Sequence, residues 1–352
     1  MPTQVIESAP ITASIVQART GRPARGKSNL LRSAPIRLPL PAATINRCIC
    51  ASCRKQAETS SIQSARNASA SGSMRVLALS PGPLIQQLQR LPALAAAANQ
   101  LQGKLQLACD PTHQALWSLL PAIEKVIPIA FDSSPSLADW TNLLGSVREG
   151  DFQVCFNFAQ GQQVNLMLSM SHIPIRVAEQ GFARTALVKP SKGWPAQQLD
   201  CYLQAIGLTL DADSFRLFLP DDSLQKVRDQ HPTGEGPLLL LAPNGNDGDW
   251  PTQQWLALPN AIKGKLPNLR SITLPLKAPL IHRAAEVACA DVVLSSCPIT
   301  QLLAVYTGVP LVALGTPADA LPKRDEIRCL GASHADINSI NQQEVLNALG
   351  FQ

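Results

Sequence analysis

From residue 74 onward, short unbroken apolar runs alternate with longer stretches whose apolar residues recur at helical spacing. MRVLALS (74–80) is apolar throughout and closed by Pro81-Gly82-Pro83, the pattern of a strand buried on both faces. LIQQLQRLPALAAAANQL follows with helical spacing. Pro92 is expected to break or kink that helix, because proline lacks the amide hydrogen a helix interior uses. The alternation then repeats, with KLQLACD (104–110) as a strand, HQALWSLLP (113–121) as a short amphipathic helix and VIPIAF (126–131) as a strand. SLADWTNLLGSVREG (136–150) opens on a serine cap and closes on glycine, as helices do. FQVCFNFA (152–159), a helix over VNLMLSMS and the strand IPIRVAE complete a first series.

A helix is predicted over 195–208, and 211–236 reads as a connecting segment rich in turn signals. GPLLLLAPNG (236–245) opens a second series. WPTQQWLALPNAIKG, APLIHRAAEVACA and ITQLLAVYTG supply helices, LRSITLP, DVVLSS and VPLVALG supply strands, and EVLNALGFQ supplies a terminal helix. Such alternation implies parallel sheets covered on both faces. The predicted class is therefore α/β, with two Rossmann-like domains over 74–194 and 236–352 and a helical linker over 195–235. In sheets of this kind, sites lie where strand carboxyl ends meet helix amino ends.

The overall charge of +5 hides an uneven distribution. Of thirty Lys and Arg and twenty-five Asp and Glu, ten basic and two acidic residues fall in 1–73, leaving twenty against twenty-three and a balance of −3 for 74–352. A slightly acidic body carries no nucleic-acid footprint. Residues 1–73 also hold eleven serines, no aromatic residue and the low-complexity run SARNASASGS, which is the composition of an organellar transit peptide. A disordered basic tail is the other reading. Chloroplast stroma is the expected location, with mitochondrial matrix open, and no run reaches the ~18 apolar residues of a membrane span.

Nine cysteines are present. Cys48, Cys50 and Cys53 form C-x-C-x2-C, three of the four ligands a metal site would need, and they lie in the presumed presequence, so no metal is assigned. The other six are scattered, mostly in apolar runs, and are expected to be reduced core thiols.

Three stretches together resemble the heptosyltransferases, family 9 of the glycosyltransferases. MRVLALSPGPLIQQLQRLPAL is similar to that family's opening strand, glycine loop and helix. LLLLAPNGNDGDWPTQQWLAL is similar to the start of its second domain, with Trp250 and Trp255 bracketing Pro-Thr-Gln-Gln. AAEVACADVVL followed by SSCPITQLLAVYTGVPLVALG (295–315) is similar to its donor-site loop and helix. The resemblance implies a GT-B fold and an ADP-linked nucleotide-sugar donor on the second domain, with the acceptor on the first. It implies no resident cofactor. Asn244, Gly245, Ser295, Ser296, Thr300, Gln301 and Gly315 would line the donor site, and Gly82, Pro83 and Gln86 the acceptor-side loop. Backbone N–H groups at PNG (243–245) and SSCPIT (295–300) are the physical means of holding a diphosphate.

The chain departs from the family where chemistry would occur. An inverting transfer needs a base for the acceptor hydroxyl. Gln86 stands where the family has its aspartate, and Pro83 removes a loop amide hydrogen. Gly248-Asp249 replaces a basic phosphate contact, and Ser296 and Gln301 replace an acid and a histidine. The short interval between Trp255 and LRSITLP leaves the second domain apparently shortened relative to the family. His172, Arg176, Arg184, Lys192 and His282 are the remaining charged candidates, with His282 lacking an oriented partner. Cys297 has no basic group nearby in sequence to activate it. No G-x-G-x-x-G follows any predicted strand, against a dinucleotide oxidoreductase. Two classes stay open: a GT-B scaffold with weakened or lost transfer that binds a nucleotide sugar or a protein partner, and an active glycosyltransferase using an ADP-linked donor.

Overall fold

Within the first strand, β1 (Arg75–Ser80), Val76 and Ala78 join one buried cluster while Leu77 and Leu79 join another on the opposite face. A computed structural model describes residues 73–351, so the basic, serine-rich segment expected to be a transit peptide, up to residue 72, and the Cys48, Cys50, Cys53 cluster lie outside the described residues. β2 (Lys104–Cys109), β3 (Ile123–Pro128), β4 (Val154–Asn157), β5 (Ile175–Ala178) and β6 (Ala186–Leu187) complete a parallel sheet of order β3-β2-β1-β4-β5-β6. A second parallel sheet, β11-β10-β9-β7-β8, is built from β7 (Leu238–Ala242), β8 (Arg270–Thr273), β9 (Val292–Ser295), β10 (Leu311–Leu314) and β11 (Ile327–Leu330). The strand order reverses beside β1 and again beside β7. Those two switch points are where ligands enter sheets of this type.

The helices are α1 (Leu84–Leu101), α2 (Leu137–Glu149), α3 (Gln162–Met170), α4 (Pro195–Gln198), α5 (Asp200–Gln204), α6 (Asp221–Gln230), α7 (Thr252–Lys263), α8 (Leu280–Cys289), α9 (Pro298–Thr307) and α10 (Gln342–Ala348). α2 begins as expected, with the Ser136 and Asp139 side chains each accepting from the other's backbone amide. No helix among the described residues is long and apolar enough to cross a membrane. One central cluster takes residues from both sheets, from α1 and α9, and from the 194–219 segment, so the two halves share a core.

Several elements differ from the sequence expectation, each for a local reason. Residues 111–119 form a 3-10 rather than an α-helix, its start tightened by Asp110, whose carboxylate accepts from the Thr112 amide and hydroxyl. β3 starts earlier, at Ile123. The 195–208 helix is divided at Leu199 into α4 and α5. α6 lies inside the expected connecting segment and buries only Val227, so it has no apolar stripe to read. β6 and β11 are short edge strands without a strong apolar run.

The most informative difference is α1, which continues through Pro92 for its full 18 residues. In an unbroken helix the Leu88 carbonyl would accept from the amide of residue 92, and Pro92 has none. Tyr306, on α9 in the other half, donates its phenolic hydrogen to that carbonyl at 3.1 Å. Burial raises the Tyr306 pKa far above the ordinary phenol value, so the group is a donor at any working pH. Its ring meets Phe215 edge-on at 5.1 Å, and its own carbonyl accepts from the Leu217 amide at 2.9 Å.

Tyr306→Phe should leave that buried carbonyl unpaired and lower the unfolding free energy by about 1–3 kcal/mol. Pro92→Ala restores a helix amide, so adding it to Tyr306→Phe should recover part of the loss in a double-mutant cycle read by urea unfolding.

Candidate functional site

Two loops occupy the two switch points, and each is held by a glutamine on the fourth residue of the helix that follows. After β1, Gly82 has φ +90°, a left-handed conformation that strains any residue with a Cβ, so the turn calls for glycine. The fully buried Gln87 donates from Nε2 to the Ser80, Pro81 and Gly82 carbonyls at 2.8, 2.9 and 3.0 Å, while its Oε1 accepts from the Ser80 hydroxyl at 2.5 Å. Arg90, one turn further on, donates to Ser80 Oγ at 2.8 Å and to the Pro81 carbonyl, and lies 4.8 Å from the centre of the Phe158 ring. Burial pulls its pKa down to about 10, against raising influences from Tyr202 and Asp132. Pro83 opens α1 with no side-chain cap, and the first turn holds no acid.

Gln86 accepts weakly from Arg90 Nη2 at 3.5 Å, and its amide has no basic group to offer a hydroxyl. A carboxylate reaches the loop from elsewhere. Asp132, beyond β3, accepts the Gly82 amide on Oδ2 at 3.3 Å.

The second loop repeats the plan. Gln301 donates from Nε2 to the Ser295 and Leu314 carbonyls at 2.9 and 3.3 Å, and its Oε1 accepts from Thr316 Oγ1 at 2.7 Å. Ser295 Oγ donates to the Ala242 carbonyl at 2.9 Å and accepts from the Cys297 amide at 3.0 Å. Ser296 Oγ accepts from the Asn244 amide at 2.9 Å, and Thr300 Oγ1 accepts from Arg283 at 2.9 Å. Ser295, Ser296 and Thr300 are 0% exposed, so their hydroxyls are engaged inside the protein. Gly315, at φ +67°, closes β10 with its amide on the Leu330 carbonyl.

Between these loops and the surface lies the turn after β7. Gly245, at φ +74°, donates its amide to Asp249 Oδ2 at 2.7 Å, and the Trp250 amide donates to Oδ1 of the same carboxylate at 2.7 Å. A groove of about 820 Å³ opens here at the carboxyl ends of β7 and β8, lined by Gly245, Asn246, Asp247, Asp249, Trp250 and Leu276 among others. The structure thus brings Asn244, Ser295, Ser296, Thr300 and Gln301 into one buried network, with Gly245 on the groove and Gly82, Pro83 and Gln86 at the other switch point.

The remaining charged candidates are dispersed. His172 stands with Arg148 and Asp151 near the starts of β4 and β5, away from the strand carboxyl ends. Arg176 is spent on the Ile173 and Ala183 carbonyls, Arg184 donates to the Glu179 carbonyl, and Lys192 is exposed. His282 does have an oriented partner, contrary to expectation: its Nε2 is 3.4 Å from Glu286 Oε1, and His231 Nε2 is 2.7 Å from Glu286 Oε2. Cys297 likewise has a basic neighbour, Arg283 Nη1 at 4.0 Å. All six described cysteines are free, and burial pushes the Cys109 and Cys155 thiols up to about 11 and 12, away from reactivity.

Sequence reading passed over Gln87, Arg90, Asp132 and Arg283. For the first, second and fourth the signal was a polar residue on the apolar face of a helix beside a strand end. Asp132 carried none.

Two parallel sheets, each with its loop and helix at a switch point and a shared core between them, define a GT-B fold. No protein-family model and no curated protein sequence matches the chain. Among solved structures it is similar to a glycosyl transferase family 9 protein of Veillonella parvula, at 14% identity and a TM-score of 0.61, covering 78% of this chain and 95% of that one. It is also similar to ADP-heptose heptosyltransferase II of E. coli (15% identity, TM-score 0.58, 78% and 97% covered). E. coli heptosyltransferase WaaC, solved with ADP-2-deoxy-2-fluoro heptose, matches at 16% identity and a TM-score of 0.55 over 78% and 98% of the two chains. Helix α7 runs directly into β8 here, with no further strand or helix between them.

Gln301→Ala should strand two buried carbonyls and the Thr316 hydroxyl, lowering stability by about 1–3 kcal/mol. The urea midpoint should fall while the slope stays constant.

Proposed function

We propose that this chain is a heptosyltransferase-like GT-B protein that binds a nucleotide sugar on its second half and in which glycosyl transfer is weakened or lost. One observation carries this reading. The donor-side loop around Ser296 and Gln301 is closed by its own hydrogen bonds, and no acid or histidine of that loop faces the groove. Similarity to structures holding ADP or an ADP-sugar analogue supports the ligand class. Residues 236–352 would then serve the donor, 74–194 an acceptor or a protein partner, and the basic, serine-rich residues 1–73 delivery to a plastid.

Calorimetry and thermal shift of the full chain with ADP, UDP, GDP and their sugars test this. A nucleotide sugar should raise the unfolding midpoint without measurable transfer or hydrolysis, since a ligand at 100 times its Kd adds about 2.7 kcal/mol. The absence of any shift would remove the ligand from the reading, and rapid turnover would remove the loss of catalysis.

An active transferase is the second reading, favoured by Asp132 at the β1 loop. Its carboxylate lies against Gly82, beside the Gln86 that stands where the family has its base. In that case Asp132 takes the acceptor's proton. Asp132→Asn should then reduce turnover by ~10²–10⁴ with little change in donor affinity.

A further inference from the structure

Backbone amides that converge after a parallel strand and before a helix are the usual seat of a phosphate, because the N–H dipoles point outward and the helix end adds partial positive charge. In this chain the turn between β7 and α7 has such a pair, the amides of Gly245 and Trp250. Both are already taken. They donate to the two oxygens of one carboxylate, Asp249, at 2.7 Å each. The ring is tightened by the Asp249 amide on the Asn246 carbonyl at 3.1 Å. Amide–carboxylate hydrogen bonds of that length are of the stronger, charge-assisted kind. The groove outside adds a second acid, Asp247, and none of its lining residues is Lys, Arg or His.

We propose that Asp249 is a built-in anion occupying the phosphate seat of the second half. It determines ligand specificity by excluding a diphosphate from this turn. A ligand entering the groove is held through its uncharged part, against the exposed side chains of Leu256 and Leu276, and gains nothing from its phosphates. The inference rests on the reading of the second half as a nucleotide-type site and identifies which portion of the ligand that site accepts.

The test is calorimetric titration of the full-length wild type, Asp249→Asn and Asp249→Ala with adenosine, ADP and inorganic pyrophosphate. Wild type should bind ADP no more tightly than adenosine and should not bind pyrophosphate. Both variants should gain tenfold or more for ADP and show pyrophosphate binding, with adenosine affinity unchanged. Asp249→Asn keeps an oxygen acceptor for one of the two amides, so it separates loss of charge from loss of the turn, and unfolding midpoints verify that each variant is folded. If ADP binds wild type and variants equally, the built-in anion is refuted and the nucleotide reading survives. If adenosine affinity rises with that of ADP, the effect is steric and the proposal fails. If neither adenosine nor ADP binds any form, both the proposal and the nucleotide reading fall.

Discussion

The Leu88 carbonyl is the point on which the two halves depend. Pro92 leaves it without a helical donor in the middle of α1, and burial denies it water. An unpaired carbonyl there would cost about as much as a sizeable share of a domain's net stability. Tyr306 supplies the donor from α9, and in doing so ties the helix behind one switch-point loop to the helix behind the other. Phe215 and Trp194 pack around the same ring, which draws the segment between the halves into the shared core. Within the shared core, the two helices behind the loops are thus also joined by a hydrogen bond whose necessity comes from a proline.

Above that contact, both loops are organised alike. Gln87 and Gln301 each turn back from the fourth position of their helix to bond the carbonyls of a preceding strand–loop junction. Arg90 and Arg283 brace the same junctions, one through Ser80 and the other through Thr300. This internal satisfaction gives a physical account of the departures from the family pattern. A side chain committed to its own loop makes that loop rigid and takes its polar atoms out of reach of a substrate. Asp249 does the same to the turn after β7.

Much of the architecture was legible because it is local. Apolar runs such as MRVLALS and LLLLA place β1 and β7, since strands covered on both faces have no polar side to show, whereas the largely exposed β3 was placed three residues late. Ser136 with Asp139 marks the start of α2, and glycine at 308 marks the end of α9. α6, β6 and β11 were illegible for the converse reason: a polar surface helix and short edge strands bury too little to leave a periodic trace. At the site, Gly82, Gly245, Ser296 and Gln301 could be placed at their loops and helix start from the strand–loop–helix pattern together with the resemblance. Whether their polar atoms faced inward or outward could not, because that depends on Arg283, Asp132 and Asp249 arriving from other segments or turning back on their own.

By itself, then, the sequence determined two parallel α/β halves and their strand and helix order, and it put the neutral residues Ser296 and Gln301 in the loop and helix after DVVLSS. Tertiary structure alone decided that α1 runs through its proline, that Ser295, Ser296 and Thr300 are sealed in the core, and that Asp132 reaches the Gly82 amide. The division has a physical cause. Period and turn chemistry act over a few neighbouring residues, whereas the partner of a buried polar atom is chosen by whichever distant group the packing brings within about 3 Å.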